Sequence, residues 1–312
     1  MGKRKHPMTG TRLARTDTGA RTRRRVYRIG ALLTLAATTL LGGCTPNMAL
    51  LDPAGPIGAH EKMVLLTAFG LMLLVVVPVF VMTAVFAWRY RASNKKAAYR
   101  PKWDFSWKID AVVWLVPAII VTALGVLSWK TTHELSPYRA LAGSKKPIQV
   151  EAIAMDWKWL FIYPKRHIAT VNQLVFPANR DISFKLTSAT VMTSFFIPRL
   201  GTQIYAMAGM RTKLHLLADK TGTFVGRNFQ LSGRGYSDMR FKAVATTPAK
   251  FHHWVQKVRH SGQALTLGKL KTLEKPSIPK SVIHYASVKP HLFQRVIDQY
   301  RTAQTDRTKP NT

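Results

Sequence analysis

The sequence predicts a membrane α-helical hairpin of two transmembrane helices. An all-β sandwich or barrel follows it, and a short helical extension ends the chain. Three observations carry this. Two long apolar runs lie in the first 130 of 312 residues. Period-two alternation dominates the middle of the chain, with turn residues between short runs. After Phe251 the period becomes helical. The formal charge of +33 raises nucleic acid as a partner. The membrane spans and the lack of a recognisable nucleic-acid module exclude it.

Residues 1–43 read as a lipoprotein-type signal peptide. Residues 1–28 carry ten Lys/Arg against Asp17, then comes the thirteen-residue apolar run Ile29 to Leu41, then Leu41-Gly42-Gly43-Cys44. A basic start, an apolar core of this length and small residues before a cut describe an export signal. Thirteen residues are too few to cross a bilayer. Leu-Gly-Gly-Cys resembles a bacterial lipobox, so Cys44 is expected to become the lipidated mature N-terminus. It is the single cysteine, so the chain forms no internal disulfide.

Residues 44–130 form the hairpin, with spans at about 63–88 and 111–129. Met63 to Trp88 has 26 residues, almost all apolar, and at about 1.5 Å each these cross a core of roughly 30 Å with tilt. Pro78 is tolerable inside a membrane helix. Ala111 to Leu127 is shorter but flanked by Trp107 and Trp129, which favour the interfaces. The connecting loop holds Arg89, Arg91, Lys95, Lys96, Arg100, Lys102 and Lys108 against Asp104 and Asp110. A short loop this basic stays in the cytoplasm. Both mature ends and the β domain are then expected outside, in agreement with an exported Cys44. Asp110 at the start of the second span suits the positive end of a helix.

Residues 131–250 read as the exported β domain. Ile148–Ala152, Trp157–Tyr163, Asp181–Leu186, Lys213–Leu217, Thr223–Phe229 and Arg240–Ala245 alternate, with turns at Pro177-Ala178-Asn179, Pro198–Gly201 and Asp219–Gly222. Trp157 and Trp159, two apart, are expected on one face of one strand, as an aromatic wall. His215 is expected on a strand bordering solvent, and Met239 in the core. No Ser/His/Asp set is evident. Residues 251–312 read as the aromatic-rich extension, with helices at Phe251–His260 and Pro290–Tyr300 and a loose tail from Arg301.

Particular motifs give this architecture a family. Met155-Asp156-Trp157-Lys158-Trp159-Leu160-Phe161-Ile162-Tyr163-Pro164, Ser194-Phe195-Phe196-Ile197-Pro198-Arg199-Leu200-Gly201, Gln203–Met210 and Tyr285-Ala286-Ser287-Val288-Lys289-Pro290 resemble subunit II of bo-type ubiquinol oxidase, a haem–copper oxidase. Leu51-Asp52-Pro53, Trp88–Lys95 and Ser128–His133 extend the likeness through the membrane region. The resemblance implies a cupredoxin-like β domain in the bacterial inner membrane's periplasmic side. It implies a complex that oxidises ubiquinol, reduces O₂ to water and moves protons outward. Haems and one copper would sit in partner subunit I, with subunits III and IV and membrane lipid as further neighbours. Asp110 matches a carboxylate at the entrance of a proton pathway.

In copper-bearing relatives the loop reads Cys-x-Glu-x-Cys-Gly-x-x-His-x-x-Met, with a further His on an earlier strand. Aligned on Gly233 and Met239, the ligand positions here hold Asn228, Gln230, Ser232 and Tyr236, and the earlier His position holds Thr193. Copper in such a fold needs thiolates and imidazoles. Only Met239 keeps a ligand-type side chain, so the chain is expected to carry no metal or other cofactor. Two other readings stand beside this one. One is a cytochrome c oxidase subunit II with a degenerate copper centre. The other is a membrane-tethered protein that binds anions or lipid. From Lys130 onward the net charge is +20, which repels a basic partner such as cytochrome c. The same excess leads us to expect an acidic external medium.

Overall fold

The computed structural model describes residues 48–98, 102–141 and 146–308. Cys44 and the signal segment lie outside the described residues.

Helices α1 (Pro56–Arg89) and α2 (Trp107–Glu134) form the hairpin. Pro56 stands at the start of α1, where its missing N–H leaves no bond unmade. Both helices are longer than their apolar runs, because each continues into polar residues at its ends. Their apolar side chains point outward: Phe80 is 73% exposed and Trp114 78%. A core helix of a soluble protein buries such residues, so these two helices span the membrane.

The first turns of α1 and the residues just before it are bound to the β domain. The Ala54 N–H donates to the Arg199 carbonyl at 2.7 Å, and the Gly58 N–H to the Leu200 carbonyl at 3.1 Å. The Glu61 carboxylate accepts from the Thr202 N–H at 2.7 Å and its hydroxyl at 3.0 Å. Asp52 pairs with Arg199. A Cβ on Gly55 would lie 2.1 Å from the Leu217 carbonyl oxygen, so this approach requires glycine.

The β domain is a two-sheet sandwich. One sheet runs β12-β3-β2-β1-β5-β8 and the other β4-β10-β9-β6-β7. Its strands are β1 (Ile148–Met155), β2 (Lys158–Tyr163), β3 (Ile168–Val171), β4 (Gln173–Pro177), β5 (Ile182–Ser188), β6 (Thr193–Ile197), β7 (Gly201–Ala206), β8 (Thr212–Leu216), β9 (Gly222–Arg227), β10 (Arg240–Thr246) and β12 (Ile283–Tyr285). Two pairings, β1 with β5 and β10 with β4, are parallel. Trp159, Phe161, Phe184, Phe195 and Phe241 fill the space between the sheets. Ring centroids of Phe195 and Phe241 lie 5.1 Å apart.

The extension closes one end of the main core with Phe251, Val255 and Val258 and, from Leu265 onward, covers the outer face of the first sheet. It comprises α3 (Pro248–Arg259), β11 (Ala264–Leu265), α4 (Leu267–Glu274), β12, β13 (Ser287–Val288) and α5 (Leu292–Thr308). A second core forms where Ile153, Leu160 and Ile162 meet Leu270, Phe293, Val296 and Ile297. Strand β2 is therefore buried on both faces. Helix α4 lies between the two helices expected from the sequence, and α5 runs on through the expected loose tail to Thr308.

Burying both faces places Lys158 at 0% exposure. Its ammonium donates to the carbonyls of Leu273 and Lys275, each at 2.8 Å. These carbonyls close α4, where backbone acceptors lack intrahelical partners and a cation is favoured. Burial nevertheless pulls the Lys158 pKa below its ordinary value, partly offset by Asp156.

Candidate functional site

The loop between β9 and β10 and the start of β6 carry the residues singled out from the sequence as the candidate site. Asn228 organises them. Its Oδ1 accepts from the Ser194 N–H at 2.9 Å, the Gln230 N–H at 2.9 Å and the Ser194 hydroxyl at 3.2 Å. Its Nδ2 donates to the Gln230 carbonyl at 2.8 Å and the Ser232 hydroxyl at 3.0 Å. Ser194 Oγ accepts in turn from the Phe229 N–H at 2.7 Å. An amide can donate and accept at once, and this one uses both ends. It is 6% exposed, so each of these bonds satisfies a group largely cut off from water.

Trp157 closes the other side of the loop. Its indole N–H donates to the Ser232 carbonyl at 2.9 Å. A Cβ on Gly235 would lie 2.4 Å from the Trp157 ring, so the loop can lie on the indole only with glycine there. Trp157 has φ +64° and precedes β2. The expectation that Trp157 and Trp159 line one face of a strand is therefore corrected. Trp159 is a core residue, and Trp157 sits in a left-handed turn under the loop.

The remaining positions divide. Met239 is 1% exposed, and its carbonyl accepts from the Asn228 N–H at 3.2 Å. Thr193 is buried with its hydroxyl unpaired. Tyr236 is 37% exposed and stays outside the Asn228 network. These residues do not fit a dinuclear copper centre. The bridging positions hold an amide and a hydroxyl already bonded to each other, and the one thiol of the chain, Cys44, precedes both spans. Among the described residues no three His, Cys, Asp or Glu side chains cluster as metal ligands.

Asp110 lies in the first turn of α2, half-buried, with its N–H donating to the Ser106 carbonyl at 3.0 Å.

Two features were not read from the sequence. Ser194 proves central to the loop; its only sequence signal is its place beside Thr193. A Ser/His/Asp set also exists, contrary to expectation. His215 Nδ1 lies 2.8 Å from Asp181 Oδ2, and its Nε2 3.3 Å from Ser183 Oγ. His215 is 8% exposed rather than bordering solvent, and Asp181 is 1% exposed. The set ties β5 to β8, and the His215 N–H donates to the Pro137 carbonyl at 3.1 Å in the segment leaving α2. Its burial fits a structural pair rather than a nucleophile.

Comparisons with known proteins agree with this architecture. Residues 119–245 match the family described as cytochrome c oxidase subunit II, periplasmic domain, and residues 259–303 match the COX aromatic rich motif. The chain is 50% identical over 278 residues to the cytochrome bo(3) ubiquinol oxidase subunit 2 of Pseudomonas putida, covering 89% of this chain and 88% of that one. It is 46% identical to the ubiquinol oxidase subunit 2 of Acetobacter aceti over 278 residues, covering 88% and 89%. With a membrane hairpin, a cupredoxin-like sandwich, the aromatic-rich extension and identity over nearly nine-tenths of its length, the chain belongs to the bo-type ubiquinol oxidase subunit 2 family of the haem–copper oxidases.

Proposed function

We propose that this chain is a non-redox subunit II of a proton-translocating ubiquinol oxidase. In this role it braces the catalytic subunit, while the complex oxidises ubiquinol and reduces O₂ to water. The observation that carries the reading is Asn228. Its side chain fills a bridging-ligand position with a closed hydrogen-bond network, in a chain 50% identical to a ubiquinol oxidase subunit 2. Electrons from a quinol arrive within the membrane, so an external copper relay is unnecessary. Haems and copper then belong to subunit I, with subunits III and IV completing the complex.

The proposed setting is the bacterial inner membrane. The basic loop between the spans supports a cytoplasmic hairpin turn, with the sandwich and both mature ends in the periplasm. Export through residues 1–43 and lipidation at Cys44 complete the anchoring. Asp110 is proposed to gather protons at the cytoplasmic mouth of α2. Cytochrome c is not a partner in this reading, because the net charge from Lys130 onward is +20.

Purification of the tagged chain, with haem and copper analysis, tests the proposal. A haem-bearing partner and copper accounted for by that partner alone are expected. Two further tightly held coppers in this chain would restore the cytochrome c reading. A chain that purifies without haem would leave the tethered anion- or lipid-binding protein.

A further inference from the structure

A cavity of about 410 Å³ lies between the first sheet and the extension. On its sheet side, Glu151 of β1 and Lys185 of β5 are register neighbours in the parallel ladder. Both are half-buried, yet they form no ion pair with each other among the described residues. Arg211 and Lys289 line the same cavity from the segments before β8 and after β13. Three permanent cations therefore share this space with one carboxylate.

The wall holds Arg211 in place. Its guanidinium lies 5.9 Å from the Phe293 ring centroid and donates to Gln294 Oε1. Gln294 Nε2 donates to Asp298 Oδ1 at 2.7 Å. That bond fixes the amide so that its oxygen faces the arginine. A guanidinium has five donors, so the bond to Gln294 leaves most of them for a ligand. Helix α5 begins in the same wall, and its first-turn N–H groups add to the preference for negative charge. Burial pushes the Glu151 carboxyl above its ordinary value, so the opposing charge is the one most readily removed.

We propose that this cavity binds a phosphate group, free or on a lipid headgroup, with Arg211 and Lys185 as its principal contacts. Guanidinium and ammonium donors match phosphate oxygens, the former in bidentate geometry. The formal balance of +2, from Lys185, Arg211 and Lys289 against Glu151, matches one doubly charged phosphate. His167 and His291 also line the cavity and strengthen it when protonated.

The test uses the purified oxidase complex in phosphate-free detergent at constant ionic strength. Inorganic phosphate is titrated calorimetrically. Saturable binding is expected. It should weaken by roughly tenfold or more in the double variant R211Q/K185Q, from the loss of two charged contacts. It should be unchanged in K220Q, which alters an exposed cation outside this cavity. E151Q should bind severalfold more tightly, a gain that a misfolded protein does not produce. A short-chain phosphatidic acid that competes with phosphate identifies a lipid source, and failure to compete identifies free phosphate. Absence of saturable binding by both probes, equal binding in R211Q/K185Q and wild type, or weaker binding in E151Q overturns the proposal.

Discussion

The ammonium of Lys158 lies 2.8 Å from the Leu273 carbonyl, joining the second strand of the sandwich to the end of helix α4, 115 residues later. A lysine in the middle of a core is unusual because its charge loses water. Here the helix end supplies the acceptors. The bond fastens the extension to the sheet at a point where apolar contact alone would leave carbonyls unpaired.

Replacing Lys158 by Ala should therefore destabilise the chain by about 2–4 kcal/mol, from the emptied space and the orphaned carbonyls of Leu273 and Lys275. Limited proteolysis should cut the extension between α3 and α5 before the sandwich. An unchanged melt and unchanged cleavage would mean that the apolar contacts of Leu270 and Phe293 suffice.

Asn228→Ala removes both ends of the loop network and leaves the Ser194 and Gln230 N–H groups without their acceptor. A loss of about 2–4 kcal/mol is expected, with faster proteolysis between Phe229 and Asp238. Asn228→Asp should also destabilise, since a carboxylate cannot donate to the Gln230 carbonyl or the Ser232 hydroxyl. Wild-type melting in N228D would show that the acceptor bonds alone organise the loop.

Asp110→Asn should slow oxygen consumption of the assembled oxidase by between roughly twofold and tenfold, because an amide neither concentrates nor passes protons. Haem content and yield of the complex should not change. If turnover and proton uptake match wild type across pH, Asp110 serves only the positive end of α2.

Acid stability follows from two carboxyls. Burial raises the folded-state pKa of Glu151 and Glu274 above 4.5. Folded protein then holds more protons than unfolded chain just above pH 4.5, so these groups favour folding as pH falls through that window. The effect is complete below 4.5. The E151Q/E274Q double variant should melt above wild type at pH 7, and the difference should shrink as pH falls toward 4.5. His284 works the other way. Burial and Lys257 lower its pKa, so protonating it below pH 6.5 opposes folding. A gap between E151Q/E274Q and wild type that widens with acid would contradict the assignment.

Some of this molecule is written in consecutive residues. Met63–Trp88 is almost all apolar and carries no charge, and a bilayer has one use for that length. Strand alternation and the Pro and Gly turns mark the sandwich, because period and turn chemistry are local properties. The motif from Met155 to Pro164 points to the family, and the spacing to Gly233 and Met239 singles out the loop that Asn228 organises. Long-range packing decided the rest. Lys158 is one member of an alternating run, and only α4, bringing its C-terminal carbonyls over the sheet, makes it a buried hub. Trp157 reads as a partner of Trp159 until the turn at φ +64° swings it under Ser232. Asp181, Ser183 and His215 meet because β5 pairs with β8 across an intervening crossover. Whether a polar side chain is an exposed residue or a buried hub depends on which distant backbone covers it, and that is fixed only when the sheets and the extension pack.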